Sequence, residues 1–406
     1  MNSLCERIAS SYAQHPKFHF DQQAFELDAD RLDAFNRTYQ FLQGYSGRLK
    51  HRQYLSCKRQ CVDALADVFV QLKAQASQPQ EIRFLDELHA ESRRALGEEI
   101  DHFHTSSTNR DIDTADIDIR DKVLRLQTDR HYFGALPPEA VKEILDIGSA
   151  DLAGFREAVR QGRLRREDLS LNTGPHVRAI ARILNREYER QGALDALSAY
   201  AGRRIKVSGL ALELSVPQAQ WWRNAFNDLP RPPKTLYAHL DESIHHPKSI
   251  VYLTDVDPST GPTSCYPQAY EALGMNPLQE LVGRVVGTVG SSADSPLKEY
   301  YKKQYHQAMT SERFRQHFMR LPEQIRFNSH LGWDIYPESD AERSLAEAEK
   351  VMTGRAGTYI IFDGARLLHR GGMLQQGERI ALQVIFSDAS VRRRIANKIR
   401  RIRGTA

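Results

Sequence analysis

The sequence predicts an α+β protein with an antiparallel sheet, and three observations carry that reading. Good helix formers with few Gly or Pro fill the first hundred residues. Short runs rich in Val, Ile, Tyr and Phe, bounded by Gly, Pro, Asp or Ser, dominate the second half. Helices therefore come first and strands after, the order expected of segregated helices and an antiparallel sheet.

Residues 1–104 form the predicted helical N-terminal region, with RQCVDALADVFVQLKAQ and RFLDELHAESRRALGEEIDHF as its clearest helical patterns. The polar stretch TSSTNRDIDTADIDIRD follows, and residues 105–124 read as a linker or exposed loop. Its alternate aspartates lack the Gly and Glu that a calcium-binding loop requires at its sixth and twelfth positions. Residues 125–390 are predicted as one domain. PPEAVKEI starts a helix with an early Pro, SADLAGFREAV and GPHVRAIARILNREYER continue as helices, and RIKVSGLALELSV reads as a strand. The segments SIVYLTDV, RVVGTVG, TYIIFDG and RIALQVIFSD are the further strands. A helical, charged insertion at about 295–350 interrupts them. No internal repeat or low-complexity segment is present.

At 406 residues, with 41% hydrophobic and 27% charged residues, the chain can bury a substantial core. No run of 18 or more uncharged apolar residues occurs, and the N-terminus turns polar too soon for a secretory signal, so a cytoplasmic location is expected. Cys5, Cys57, Cys61 and Cys265 are too few and scattered for a disulfide framework or a zinc ribbon. Residues 391–406 carry seven Lys or Arg and no acid, so from a net +4 the remainder of the chain stands at −3. Nucleic-acid binding is not expected of such a chain. In the tail, Ile395, Ile399 and Ile402 recur at helical spacing, the pattern of an amphipathic helix that touches an anionic membrane surface or partner; a solvated, frayed terminus explains it equally.

The chemistry gathers in two stretches. In YAHLDESIHH, residues 237–246, strand alternation puts Tyr237, His239 and Asp241 on one face and Ala238 and Leu240 on the other. A neutral imidazole and a carboxylate so placed are two thirds of the 2-His-1-carboxylate set that leaves positions open on Fe(II). Taken alone, the pair is also what a polar strand end looks like. The second stretch is GRAGTYIIFDGARLLHRGGMLQQGERIALQVIFSD. A strand ends at Asp363-Gly364, His369 follows, and Arg379 opens another strand. On that strand Ile380, Leu382, Val384 and Phe386 form an all-apolar face, so the face of Arg379, Ala381, Gln383 and Ile385 is left to line a cavity. A buried arginine there needs an anionic partner, either a carboxylate of another strand or a ligand such as a dicarboxylate.

Taken together, His239-Leu-Asp241, SIVYLTDVDPSTGP and FDGARLLHRGG…ERIALQVIF resemble the phytanoyl-CoA dioxygenase family of Fe(II)/2-oxoglutarate-dependent oxygenases, over roughly residues 130–388. The resemblance implies a double-stranded β-helix, a jelly-roll, cupin-like barrel, backed by helices and extended by the N-terminal helical region. It implies His239, Asp241 and His369 as iron ligands, Arg379 as the anchor of the distal carboxylate of 2-oxoglutarate, and O2 as oxidant. It gives Asp257 and Gly261-Pro262 a structural turn. The expected reaction is hydroxylation of an unactivated C–H bond of a small-molecule or lipid- or sugar-type substrate, with succinate and CO2 as coproducts. Asp241 fills the position that halogenating relatives leave for chloride. Two departures stand out: TSCYPQAY where many relatives have an apolar-Pro-Gly-Ser-His stretch, and Gly371 where a serine often helps bind the cosubstrate. The second cosubstrate contact falls to Tyr237, Tyr252 or Thr254. The alternative is a non-catalytic binding module for a lipid or sugar carrier; a zinc hydrolase with the same ligands would leave Arg379 unexplained. His245 and His246 read as a polar loop at the pocket rim, Trp221-Trp222 as core, and Gly283, Gly287 and Gly290 as strand and turn punctuation.

Overall fold

A computed structural model describes residues 3–106, 116–219, 234–241, 247–289 and 311–388. Local signals start most of its helices. In α1 (Leu4–Tyr12), Ser3 accepts from the Glu6 N–H while the Glu6 carboxylate accepts from the Ser3 N–H, a capping box. Helices α2 (Ala29–Tyr45), α3 (His51–Gln75) and α4 (Pro79–Ser106) follow, burying Phe35, Leu65, Phe69, Leu88 and Leu96. Helix α5 (Ile117–Thr128) is capped by Asp116, so the last part of the stretch expected to be a loop is helical. Of the aspartates that made it look like a loop, Asp116 is the cap and Asp118 and Asp121 lie on the exposed face. Residues 107–115, within the same expected linker, lie outside the described residues.

Next come β1 (His131–Ala135), α6 (Pro138–Arg160), β2 (Ser170–Leu171), α7 (Pro175–Arg190), α8 (Ala193–Ala201) and β3 (Ile205–Ser215). PPEAVKEI and SADLAGFREAV are thus one helix. Then follow β4 (Lys248–Tyr252), β5 (Thr263–Tyr266), α9 (Ala269–Leu273), α10 (Pro277–Val285), α11 (Glu312–Arg320) and α12 (Asp340–Ala348). The last elements are β6 (Lys350–Met352), β7 (Thr358–Phe362), β8 (Leu368–Arg370) and β9 (Arg379–Asp388). The expected strand RVVGTVG is instead the end of α10 and a 3-10 turn, Val286–Thr288. Asn276 caps that helix and Pro277 begins it, and Leu278, Leu281, Val282 and Val285 bury at helical spacing, which overrides the β preference of the valines.

The strands form two antiparallel sheets. The larger runs β1-β7-β4-β9-β3-β2 and the smaller β6-β5-β8, extended by a single bridge from His369 to His239. The larger sheet is apolar on both faces. Leu210, Leu212, Leu214, Val251, Ile361, Leu382 and Val384 pack outward against α5 to α8, while Tyr252, Ile360, Phe362 and Ala381 turn inward with Cys265 and Met352 of the smaller sheet. The antiparallel α+β architecture is the one expected. Among the described residues, however, the hydrogen bonds make two facing sheets and no closed barrel. The segment around His239 contributes one bridge rather than a ladder, because Tyr237 turns the chain at φ 66°.

The N-terminal helices share one apolar cluster with residues as distant as Ala238, Leu240 and Leu368. Inside it Arg284 of α10 and Glu99 of α4 form an ion pair at 2.8 Å, each side chain only 5% exposed. The Tyr39 hydroxyl donates to the same carboxylate at 2.5 Å. Breaking a buried pair from one side strands a charge. Arg284→Met is therefore expected to lower stability by about 3–5 kcal/mol in urea unfolding, with part of the loss recovered in Arg284→Met/Glu99→Gln. An unchanged midpoint in the single variant would show that the pair holds nothing together.

Candidate metal centre

Three elements converge at one end of the cavity between the sheets. His239 and His369 exchange main-chain hydrogen bonds, His239 N–H to His369 O at 2.9 Å and His369 N–H to His239 O at 3.1 Å. Asp241 N–H donates to Gly364 O at 2.8 Å, and Leu240 N–H to Ser329 O at 2.8 Å. Ala238 and Leu240 are buried in the large apolar cluster, so the residues between and after them, His239 and Asp241, face away from it.

The side chains complete a donor set. His239 Nδ1–H donates to the Tyr237 carbonyl at 2.9 Å and His369 Nδ1–H to the Leu367 carbonyl at 2.8 Å. Both imidazoles therefore present Nε2 inward as an acceptor, the orientation a metal-bound histidine needs. Each Nε2 lies 3.9 Å from Asp241 Oδ1, and ligand atoms of the three residues all fall within 4.8 Å of one another. Asp241 Oδ2 is buried with no hydrogen-bond partner. It lies against Gly364, where a Cβ would stand 1.8 Å away, so only glycine admits the carboxylate here.

The electrostatics put each group in its metal-binding form. Burial pushes the His239 imidazole down to about 4, with His369 adding to the effect, and burial lowers His369 as well. For Asp241, burial would raise the carboxyl, but Lys248, His369 and His239 outweigh it and hold the group well below its ordinary range. At neutral pH the set is thus two neutral imidazoles and one carboxylate, which needs no proton removed before it binds a cation. Two nitrogens and one oxygen at this spacing suit a divalent transition metal with positions left open.

His239, Asp241, His369 and Arg379 line one cavity of about 380 Å³. Arg379 is 8% exposed. Its Nη1 donates to the Gly261 carbonyl and its Nη2 to Ser215 Oγ at 3.2 Å, while Nε is buried without a partner. It makes no ion pair with any described residue, and burial lowers its guanidinium from the ordinary value. A fork buried without an ion-paired carboxylate, with Glu213 on the same cavity wall acting on it only from a longer range, is suited to an anion entering the cavity. Ala381 and Gln383 line the cavity beside it, while Ile380, Leu382, Val384 and Phe386 lie in the core behind.

Of the three residues considered for a second cosubstrate contact, only Tyr237 lines the cavity. The Tyr252 hydroxyl donates to Met352 O at 2.8 Å and accepts from Thr263 N–H at 3.0 Å, and Thr254 Oγ1 accepts from Ile380 N–H at 3.2 Å. Sequence reasoning missed Lys248, Thr263 and His330, all on the cavity wall. Lys248 was legible as the first inward position of β4. His330 had no such signal: it comes from the long insertion, and its ring stacks on His239 at 4.9 Å and 17°. Glu242, His245, His246, Trp221, Trp222, Gly290 and the basic tail 391–406 lie outside the described residues. Gly283 is in α10 and Gly287 in the 3-10 turn after it, not in a strand. No described helix is long and apolar enough to cross a membrane.

No family model matches the sequence, and no curated protein does. Solved structures similar to this one include AviO1 from Streptomyces viridochromogenes Tue57, at 12% identity and TM-score 0.35 over 68% of this chain and 98% of that one. The non-heme α-ketoglutarate-dependent epimerase SnoN from nogalamycin biosynthesis is 14% identical, with TM-score 0.33 over 67% of this chain and 84% of its own. EctD from S. alaskensis is 12% identical, with TM-score 0.35 over 66% of this chain and 76% of its own, and has also been solved with bound Fe. At these scores the likeness carries no argument about this chain's reaction.

Two outcomes follow from the geometry. Gly364→Ala should displace Asp241 and weaken divalent-metal binding by about 10- to 100-fold, with the circular dichroism spectrum retained; unchanged affinity would mean that the carboxylate is not a ligand. The second concerns Asp334, which joins α1 to the His330 loop: Tyr12 Oη–H donates to its Oδ2 at 3.2 Å and Asn328 Nδ2–H to its Oδ1 at 3.3 Å, and Asn328 Oδ1 accepts from His330 N–H. Burial raises its carboxyl from 3.8 to about 7. The folded state keeps this proton where the unfolded chain releases it, so the stability contributed by the neutral acid is full below the unfolded value and is lost as pH rises to about 7. Melting temperatures across that window should fall with pH, and the slope should flatten in Asp334→Asn.

Proposed function

We propose that this chain is a non-haem Fe(II)/2-oxoglutarate-dependent oxygenase of the phytanoyl-CoA dioxygenase type, its two sheets being the halves of a double-stranded β-helix. In this reading His239, Asp241 and His369 hold the iron and Arg379 binds the distal carboxylate of 2-oxoglutarate. One observation carries it: a ligand-ready pair of imidazoles and a carboxylate share a cavity with a buried guanidinium that forms no ion pair with any described residue. The alternation of the chain between the sheets supports the fold reading, since β3, β4, β7 and β9 belong to the larger sheet and the His239 segment, β5, β6 and β8 to the smaller.

When bound, iron with 2-oxoglutarate and O2 supplies the oxidation of a C–H bond, coupled to conversion of the cosubstrate to succinate and CO2. The chain's own residues prepare for this. The carbonyls of Tyr237 and Leu367 fix the tautomers of the two histidines. Gly364 seats the carboxylate, and the apolar residues Ile360, Phe362 and Ala381 keep the inward face of the large sheet dry beside it. Arg379, held by Gly261 O and Ser215 Oγ, is preoriented for a planar carboxylate and loses little freedom on binding one. The presence of Asp241 favours hydroxylation over halogenation. The substrate is proposed to be a small molecule or a lipid- or sugar-type compound, and the basic tail 391–406 a peripheral contact with an anionic membrane surface.

The test is succinate formation from 2-oxoglutarate with Fe(II) and O2. His369→Ala should abolish it, and Arg379→Gln should raise the KM for 2-oxoglutarate by the equivalent of about 2 kcal/mol or more. Turnover that survives His369→Ala removes the site assignment. Absence of any thermal shift with Fe(II) and 2-oxoglutarate would favour a non-catalytic binding module instead.

A further inference from the structure

Lys248 opens β4 on the face that lines the cavity, and its Nζ lies 2.5 Å from Asp241 Oδ1. That oxygen is the same one that stands 3.9 Å from His239 Nε2 and from His369 Nε2. The ammonium thus sits on the ligand atom that a metal would use. Resting on the metal-site reading above, we propose that Lys248 occupies the metal's place on Asp241 in the metal-free protein and is displaced from it when a divalent cation binds.

The argument is one of charge and freedom to move. Two cations on one carboxylate oxygen repel strongly in a buried site, where the effective dielectric is low. Asp241 cannot relieve the conflict by offering its other oxygen, because Oδ2 is packed against Gly364. Nor can it turn away: its side chain is 5% exposed and its backbone N–H is tied to Gly364 O. The histidines are fixed by their Nδ1 hydrogen bonds. Lys248 alone has somewhere to go, since its side chain is 40% exposed and sits on a flexible four-carbon stem.

The ammonium therefore competes with an incoming metal for Asp241 Oδ1. Lys248 is accordingly a positioning residue that acts through Asp241.

Co(II) alone serves as the probe, titrated into the full chain and followed by calorimetry and by its visible absorption. Lys248→Met should bind Co(II) about tenfold more tightly than the wild type or better, because the competitor is gone. His369→Ala should bind it weakly. In the unmutated protein, amine acylation read by mass spectrometry should show Lys248 protected without metal and several-fold more reactive once Co(II) is bound, an arm that needs no variant to fold. Affinity in Lys248→Met equal to or below wild type, or Lys248 labelling that does not rise with Co(II), overturns the proposal. Co(II) binding undiminished in His369→Ala overturns the metal-site reading itself, whatever Lys248 does.

Discussion

The reciprocal main-chain hydrogen bonds between His239 and His369 are the constraint on which the rest of the site depends. They join two segments 130 residues apart and bring both imidazoles to the same edge of the smaller sheet. Residues directly opposite each other in an antiparallel pair project their side chains to the same face, and here the rings come to 4.3 Å between centroids. From that fixed point the geometry propagates. Asp241, two residues on, meets Gly364 O, and the carboxylate reaches the space between the two Nε2 atoms without further adjustment.

Burial then decides the chemistry. The cluster containing Ala238 and Leu240 also contains residues of all four N-terminal helices and of the segment from Leu278 to Leu345. The helical first hundred residues are therefore part of the wall that holds the ligand segment in register. The same burial lowers both histidines, while Lys248, His369 and His239 together hold Asp241 down against it. Low dielectric and one well-placed ammonium together leave a donor set that is both dry and ionised.

Much of the fold was legible because its signals are local. Strands β4, β7 and β9 are runs rich in Val, Ile, Tyr and Phe bounded by breakers, and the alternation of β9 sorts Arg379, Ala381 and Gln383 from Ile380, Leu382 and Val384 without reference to any other part of the chain. The errors came where tertiary packing outweighed propensity. Val285 and Val286 look like strand residues, yet a cap at Asn276 and an apolar helical face commit them to α10 and the turn after it. The aspartates before α5 look like a loop because capping and loop residues are the same residue types.

Alone, the sequence determined which residues could carry the chemistry: a histidine and a carboxylate two positions apart, a second histidine after a Gly-bounded strand, and an arginine on the polar face of an otherwise apolar strand. Those are properties of residue type and period, which need no partner. Tertiary structure decided what each of them meets. His330 reaches the metal-ligand face from an insertion with no motif of its own, and Lys248 reaches Asp241 only because β4 starts beside the ligand segment. Thr254 and Tyr252 were equally eligible by type, but their hydroxyls are committed to backbone partners. Such contacts depend on where distant segments are brought in space, and a periodic pattern in one segment contains no information about the distance to another.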